Sequence, residues 1–373
     1  MTEIYLIRHA QAEGNRYRIL QGHWDGGVTA LGREQIALLS ARLRELPFDA
    51  VYSSDLYRAR LTATAISKPH HLPLQILPDL REIHVGPWET EFFGNVLHEQ
   101  PALTECFLRD PDRWRLPGAE TFAQVGERME RALEAIARRH EGDRVAVVSH
   151  GAAIRCLLSR ITGEPLGCQP TCGNTAITRL RWAQDRFWLE SSNDCSHLDA
   201  RTQPVWSDTA SLRHEPLSPE RDRRFYTDCY RDAWIAAHGD AEGFLADPYW
   251  DAACAHLHRD PRSVLRLLDG DTPVGLVDLD PRRGENGGYG WLSLLYLRPE
   301  YRDQGYGVQA LARAIMYFRA LGRRSLRLLV AEENASARHF YAREGFLPLS
   351  WEEGAQGRLL LLELPLEERR DDL

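Results

Sequence analysis

Short apolar runs alternate with longer amphipathic stretches along the first half of the chain. Ile4 to Ile7 is apolar throughout and predicts a buried parallel strand. Ala50 to Ser53, Leu74 to Leu77 and Arg144 to Ser149 read the same way. Between them, Thr29 to Leu46 spaces Leu31, Ile36, Leu38, Leu39 and Leu43 as one face of a helix. A second helix follows Ser53, with Ser54 or Asp55 as its N-cap and Arg58 in its first turn. Thr121 to Glu141 predicts a third, opened by a capping box of Thr121 and Gln124. Ala152 to Ile161 predicts a fourth, and 175–182 with 186–191 predict a closing pair of strands. Residues 90–120 show no period, carry Phe92, Phe93 and Trp114, and predict an irregular cap. Strands alternating with helices predict an α/β fold.

The pattern changes after Asp194. Asp194 to Pro219 is polar, proline-bearing and without period, so a linker is expected, with domains at 1–208 and 209–373. Beyond it the expected elements are a strand at Leu212–Leu217 and helices at Pro219–His238 and Tyr249–His258. Strands Val264–Leu268 and Val274–Asp280 are joined by the turn Asp269-Gly270-Asp271. A long strand, Tyr289–Leu297, runs into a glycine turn and a helix from Val308 to Leu321. Strand Ser325–Ala331 and a helix from Asn334 to Arg343 complete the pattern.

Composition narrows the partners. The chain has 373 residues, 43% hydrophobic and 27% charged, with a formal net charge of −8. That length suits two domains. Neither half is basic, so a nucleic-acid role lacks its electrostatic footprint. Lys68 is the only lysine. The seven cysteines are irregularly spaced, and Cys168 and Cys172 lack a second pair, so free thiols in a reducing compartment are expected, with no metal. The first strand leaves no room for a basic-then-apolar leader, and no apolar run reaches a membrane span. A cytoplasmic protein is expected, with no membrane partner.

Candidate chemistry sits where strands end. Arg8 and His9 close the first strand, His150 and Gly151 close the fourth, and Arg58 follows the second. Glu82 lies just past the third. Gln21, Gly22 and Asn15 lie on a glycine-rich loop that could fold over an anion. Imidazoles and guanidiniums around one point, with a carboxyl nearby, suit phosphoryl transfer: cations for the non-bridging oxygens, a nucleophile in line, an acid for the leaving oxygen. Cations beside His9 keep it neutral and able to attack. Trp24, Trp88, Phe92 and Phe93 read equally as an aromatic lid for an organic substrate or as packing.

Residues 1 to about 200 resemble the histidine phosphatase superfamily, in its phosphoglycerate-mutase-like branch. The matching residues are Arg8-His9-Ala10 with Asn15, Gln21-Gly22, Ser53-Ser54 with Arg58, Leu80-x-Glu82 with Gly86 and Trp88-Glu89, and Ser149-His150-Gly151. The resemblance implies an α/β/α sandwich. It implies His9 as nucleophile, Glu82 as proton donor, and Arg8, Arg58 and His150 as phosphate ligands, supported by Asn15 and the Gly151 amide. Many members carry Thr or Ser where this chain has Ala12, so some phosphate contact is replaced or lost. The short stretch between Glu82 and His150 favours a phosphatase over a mutase.

Residues 212–366 resemble the GNAT acetyltransferases, a mixed α+β fold. The signature stands as Arg302-x-x-Gly305-x-Gly307, followed by Asn334-x-x-Ala337-x-x-Phe340-Tyr341-x-x-x-Gly345-Phe346. The resemblance implies that the turn Asp303, Gln304, Gly305, Tyr306, Gly307, after Arg302, binds the acetyl-CoA pyrophosphate. It implies that Leu295 and Leu297 pair with the pantetheine, that Asn334 contacts the cofactor, and that Tyr341 protonates the leaving thiolate. The strand before the signature lacks a carboxylate; Ser293 through water, Asp278, Asp280 or Glu332 are the candidate bases. The expectation is a bifunctional enzyme acting on a small phosphorylated metabolite and a small amine. The alternatives are a phosphatase regulated by a non-catalytic acetyl-CoA-binding domain, or a mutase with an appendage.

Overall fold

A computed structural model describes residues 1–203, 211–354 and 357–367. The chain divides into two compact units, and the junction expected between residues 208 and 209 lies outside the described residues.

The first unit runs β1 (Thr2–Arg8), α1 (Glu13–Tyr17), α2 (Ala30–Leu43), β2 (Ala50–Ser53), α3 (Tyr57–Ser67) and β3 (Leu74–Ile76). It continues through α4 (Phe93–Glu99), α5 (Pro101–Arg109), α6 (Phe122–Arg139), β4 (Arg144–Ser149), α7 (Gly151–Thr162), β5 (Ile177–Ala183) and β6 (Arg186–Asp194). The sheet order is β3-β2-β4-β1-β5-β6. β1 to β4 are parallel; β5 and β6 run antiparallel. Both faces of the sheet are covered, which is why residues 4–7 of β1 and 145–148 of β4 are apolar. Ile4 and Leu6 face α6 and α7, packing with Met129, Leu133 and Leu157. Tyr5 and Ile7 face α2 and α3, packing with Leu39, Ala63 and Ile66. The result is an α/β/α sandwich.

Register then places the chemistry. Arg8 on β1 pairs in parallel with Ser149 on β4. The residues that follow, His9 and His150, therefore leave the sheet side by side at its carboxyl edge.

Two expectations are corrected here. Residues 90–120 are not irregular, since α4 and α5 lie within them. Short amphipathic segments interrupted by Pro101 and Pro111 hide their period from a longer window. Nor do Ser54 and Asp55 cap α3, whose N-cap is Leu56 with no side-chain cap. Both polar side chains are engaged elsewhere. The capping box of Thr121 and Gln124 at α6 is formed as expected.

The second unit comprises β7 (Arg213–Pro216), α8 (Arg223–His238), α9 (Ala246–Arg259), β8 (Val264–Asp269), β9 (Thr272–Asp280), β10 (Tyr289–Leu297) and α10 (Tyr306–Ala320). β11 (Ser325–Ala331), α11 (Ala335–Arg343), β12 (Leu347–Gly354) and β13 (Gly357–Pro365) follow. Its sheet order is β12-β13-β11-β10-β9-β8-β7. β10 and β11 are parallel neighbours but pair only from Tyr289 to Trp291. From Leu292 to Leu297 the ladder of β10 is shared with β9 alone. A register shift at Ser293 exchanges the two faces of β10 at that point. Beyond it Leu294 and Tyr296 pack towards α8 and α9, while Leu297 lies on the face of α10 beside Gly307.

Candidate functional site

In the first unit, His9 is 2% exposed and His150 fully buried, with ring centroids 5.0 Å apart. The Nδ1 of His9 lies 2.7 Å from the Ala10 carbonyl oxygen. A carbonyl only accepts, so Nδ1 carries the proton and Nε2 is left with its lone pair. The Nε2 of His150 lies 2.7 Å from the Ser54 hydroxyl, so the side chain expected to cap a helix instead orients an imidazole. Burial, then Arg58 and Arg8, hold His9 well below its usual value. Burial and Arg58 do the same for His150. Both rings are neutral near pH 7.

Arg58 is fully buried in the first turn of α3. Its Nη1 donates to the Trp24 carbonyl and its Nη2 to that of Gly22, each at 2.8 Å. One guanidinium thus pins the glycine-rich loop and keeps hydrogens free for an anion. Burial pushes it down to about 10, so it stays charged. Arg8 donates through Nη1 to the Cys172 carbonyl, while its Nε is buried with no partner. Gly151 packs against that guanidinium, where a Cβ would stand 3.2 Å from the Arg8 Nε.

Glu82 reaches the start of α7. Its Oε1 accepts from the Ala153 amide at 2.9 Å and from its neighbour Ile83 at 3.0 Å; Oε2 accepts from Ala152 at 3.1 Å. The first-turn amides of Ala152 and Ala153 are therefore taken by Glu82. Asn15 turns its Oδ1 to the Ala12 amide, at 3.0 Å, and so serves its own turn. Its link to the centre runs through Asn174, whose amide donates to the His9 carbonyl at 3.0 Å and to Asn15 at 3.4 Å. Gln21 lies under Gly14 with its Oε1 buried and unpartnered. Trp88 and Phe92 do not form a lid: they are 1% and 4% exposed, and Trp88 packs with Trp114 and Phe107 in the core.

Sequence reasoning missed Arg128, Glu120, Asn174 and Thr62. Thr62 accepts from the Ala10 amide at 2.9 Å and donates to the Arg58 carbonyl at 2.7 Å, tying the segment after β1 to α3. Only the spacing Arg58…Thr62, one helical turn, pointed to it. Among the described residues no group of His, Cys, Asp and Glu has the arrangement of a metal site.

In the second unit the turn before α10 is built from its own side chains. The Arg302 Nε donates to the Leu297 carbonyl at 3.0 Å and the Gln304 amide to that of Glu300 at 2.7 Å. Asp303 and Gly305 take φ of +58° and +82°. Tyr306 donates to Asp269 at 2.8 Å. The first-turn amides of α10 point out of the helix end with no partner inside it. That end and the opened edge of β10 suit a pyrophosphate joined to an extended amide chain. Gly307 faces Phe340, where a Cβ would lie 3.1 Å from the ring. The Asn334 Oδ1 accepts from the Ala337 amide at 3.1 Å and caps α11. Tyr341 is buried between Phe340 and Phe346, and burial raises its phenol, keeping it protonated.

The three candidate carboxylate bases are occupied. Asp278 is 1% exposed and accepts from Tyr226 and from His256, each at 2.7 Å. Asp280 accepts the amides of Arg282 and Arg283 at 2.9 Å and lies 3.4 Å from His256. Glu332 faces Arg358 at 3.4 Å.

The family model of the histidine phosphatase superfamily (branch 1) matches residues 4–195. The chain belongs to this superfamily. An acetyltransferase (GNAT) family model matches residues 223–346, so this histidine phosphatase domain is fused to a GNAT domain. The histidine phosphatase half is 32% identical over 207 residues to a probable phosphoglycerate mutase, GpmB, of Escherichia fergusonii, covering 54% of this chain and 96% of that protein. It is 35% identical over 205 residues to a metal-independent phosphoserine phosphatase of Arabidopsis thaliana, covering 54% of this chain and 84% of the relative. The solved structure of Bacillus stearothermophilus YhfR resembles it with 30% identity and a TM-score of 0.52, over 53% of this chain and 99% of that one.

Proposed function

We propose that the first unit hydrolyses a small phosphomonoester through a phosphohistidine on His9, and that the second transfers acetyl from acetyl-CoA to the amine of a small metabolite. The observation that carries the first part is the His9 ring. Its Nδ1 proton is locked on the Ala10 carbonyl, its Nε2 is a neutral lone pair, and two guanidiniums stand beside it. Nε2 attacks phosphorus, the N–P bond forms, and the P–O bond to the alcohol breaks. Arg8, Arg58 and His150 hold the phosphoryl oxygens, with Gln21, Gly22, Asn15 and the Gly151 peptide shaping the loop side. Glu82 gives its proton to the leaving alkoxide. It then takes one from the water that breaks the N–P bond, releasing inorganic phosphate and restoring His9. The Glu82 Oε2, with one amide partner against two on Oε1, is the freer site for that proton.

In the second unit, the amides of 303–307 would hold a pyrophosphate, and the backbone of Leu295 and Leu297 an amide-bearing arm. Asn334 would lie beside the cofactor. Acetyl-CoA supplies an activated thioester when bound. Tyr341, held protonated, would give its proton to the departing thiolate.

A second reading is favoured by one observation: Asp278, Asp280 and Glu332 are all engaged, so none is free to deprotonate an amine. On that reading the domain binds acetyl-CoA and regulates the phosphatase. Alkaline quenching of enzyme mixed with ³²P-labelled ester tests the first claim; label on wild type but not on His9→Ala is expected. Labelled acetyl-CoA offered to a panel of amines tests the second. Binding without transfer would leave the regulatory reading in its place.

A further inference from the structure

Glu82 sits on an irregular segment, so something must fix where its carboxyl points. The carboxylate itself is held by α7, as described. Its peptide is held from the other side. The Arg128 Nη2 donates to the Glu82 carbonyl at 2.8 Å, and Nη1 to the carbonyls of Arg81 at 2.7 Å and Asp79 at 2.8 Å. The same guanidinium meets Glu120 twice, Nε to Oε1 and Nη2 to Oε2, both at 2.9 Å. Glu120 in turn accepts the His84 amide at 2.9 Å. Arg128 is one helical face of α6, and its side chain is only 11% exposed. The Glu82 carbonyl has a second donor, the Nε2 of His23 at 2.9 Å. His23 belongs to the loop whose flanking carbonyls, Gly22 and Trp24, Arg58 grips.

We propose that Arg128, oriented by Glu120, is a positioning residue for the proton donor: it clamps the carbonyls of Asp79, Arg81 and Glu82 and ties them to α6. The clamp fits one task. A planar fork of five donors fills acceptors that no lysine could span at once. Every acceptor lies on the Glu82 segment or on the carboxylate that aims the fork. Arg128 hydrogen-bonds to the Glu82 segment and to Glu120; its charge also adds to the cost of protonating His150, but its hydrogen bonds reach the centre through the placement of Glu82.

This inference rests on Glu82 as the general acid, and the test separates the two. The value of kcat/KM is measured with p-nitrophenyl phosphate, phenyl phosphate and O-phosphoserine for wild type, Glu82→Gln, Arg128→Ala, Arg128→Lys and Glu120→Gln. An acidic leaving phenol departs without help; an alcohol needs a proton. Glu82→Gln is expected to lose about 10²-fold or more on phosphoserine and little on the nitrophenyl ester. Arg128→Ala is expected to share that tilt, with Glu120→Gln and Arg128→Lys showing a smaller one. If Glu82→Gln tilts while the other variants lower all three substrates alike, the role of Arg128 is structural and the inference is overturned. If Glu82→Gln does not tilt, the reading of Glu82 itself falls. Should Arg128→Ala fail to fold, Glu120→Gln carries the test, since that carboxylate is about a quarter exposed, aims the fork and accepts the His84 amide on the same segment.

Discussion

A histidine that must attack has to be neutral, and this chain achieves that by burial before charge. His9 is 2% exposed, and Arg58 and Arg8 add to the cost of protonating it. The His9 and His150 ring signals in an NMR titration are therefore expected to stay flat from pH 8 to pH 5.5. Arg58→Gln should raise the His9 midpoint; a titration near 6.5 in wild type would overturn this account. His256 behaves in the opposite sense. Burial opposes its charge, but Asp278 and Asp280 outweigh that and raise it to about 9. Its folded value lies above the unfolded 6.5, so the stability it contributes is fully present below pH 6.5 and lost as pH rises through 9. The amount is on the order of 3 kcal/mol. Denaturant melts of wild type should weaken between pH 6.5 and 9.5, and those of His256→Gln should not share that slope. The two histidines at the carboxyl edge were legible because each follows an apolar run by one residue. Arg128 was not, since in a chain whose cations are almost all arginine nothing local marks one guanidinium as a clamp.

Elements that end on apolar runs were the easiest to place. β2, β4, β10 and β11 have the bounds that their sequence predicts. Elements whose ends are set by tertiary partners were not: α3 starts at Tyr57 because Ser54 serves His150 and Asp55 pairs with Arg81. α4 and α5 escaped because aromatic residues that read as a lid are core, with Trp114 fully buried. The splay of β10 from β11 has no sequence mark, yet it depends on close packing at the strand's start. There Gly290 meets Phe318 of α10, and a Cβ would stand 2.2 Å from the ring. Gly290→Ala should push α10 from the sheet at a cost of about 1–3 kcal/mol. It should also weaken acetyl-CoA binding, because the N-terminus of the same helix is the proposed pyrophosphate site. Thermal melts with calorimetric titration of acetyl-CoA check both; a melt and an affinity equal to wild type would refute the packing argument.

At the scale of the whole chain, two separate sheets build a histidine phosphatase domain and a GNAT domain, and no helix among the described residues is long and apolar enough to cross a membrane. Their independence can be tested by substitutions that each touch one site. His9→Ala removes the proposed nucleophile and leaves the second unit's sequence intact. It should lower phosphate release by about 10³-fold or more while acetyl-CoA binds as before. Gly307→Val forces a side chain towards Phe340 at the opening of α10. It should weaken acetyl-CoA binding and leave phosphate release unchanged. Adding acetyl-CoA to wild type then decides what the fusion is for. Phosphate release that ignores acetyl-CoA, with acetyl transfer to an amine, makes the chain two enzymes. An aminated phosphorylated metabolite would then link their reactions, since hydrolysis of its ester and acetylation of its amine can proceed in either order. Release that changes with acetyl-CoA in wild type and not in Gly307→Val, with no amine acetylated, makes the second unit a sensor. The occupied carboxylates of Asp278, Asp280 and Glu332 are then its explanation, because a domain that only binds needs no base.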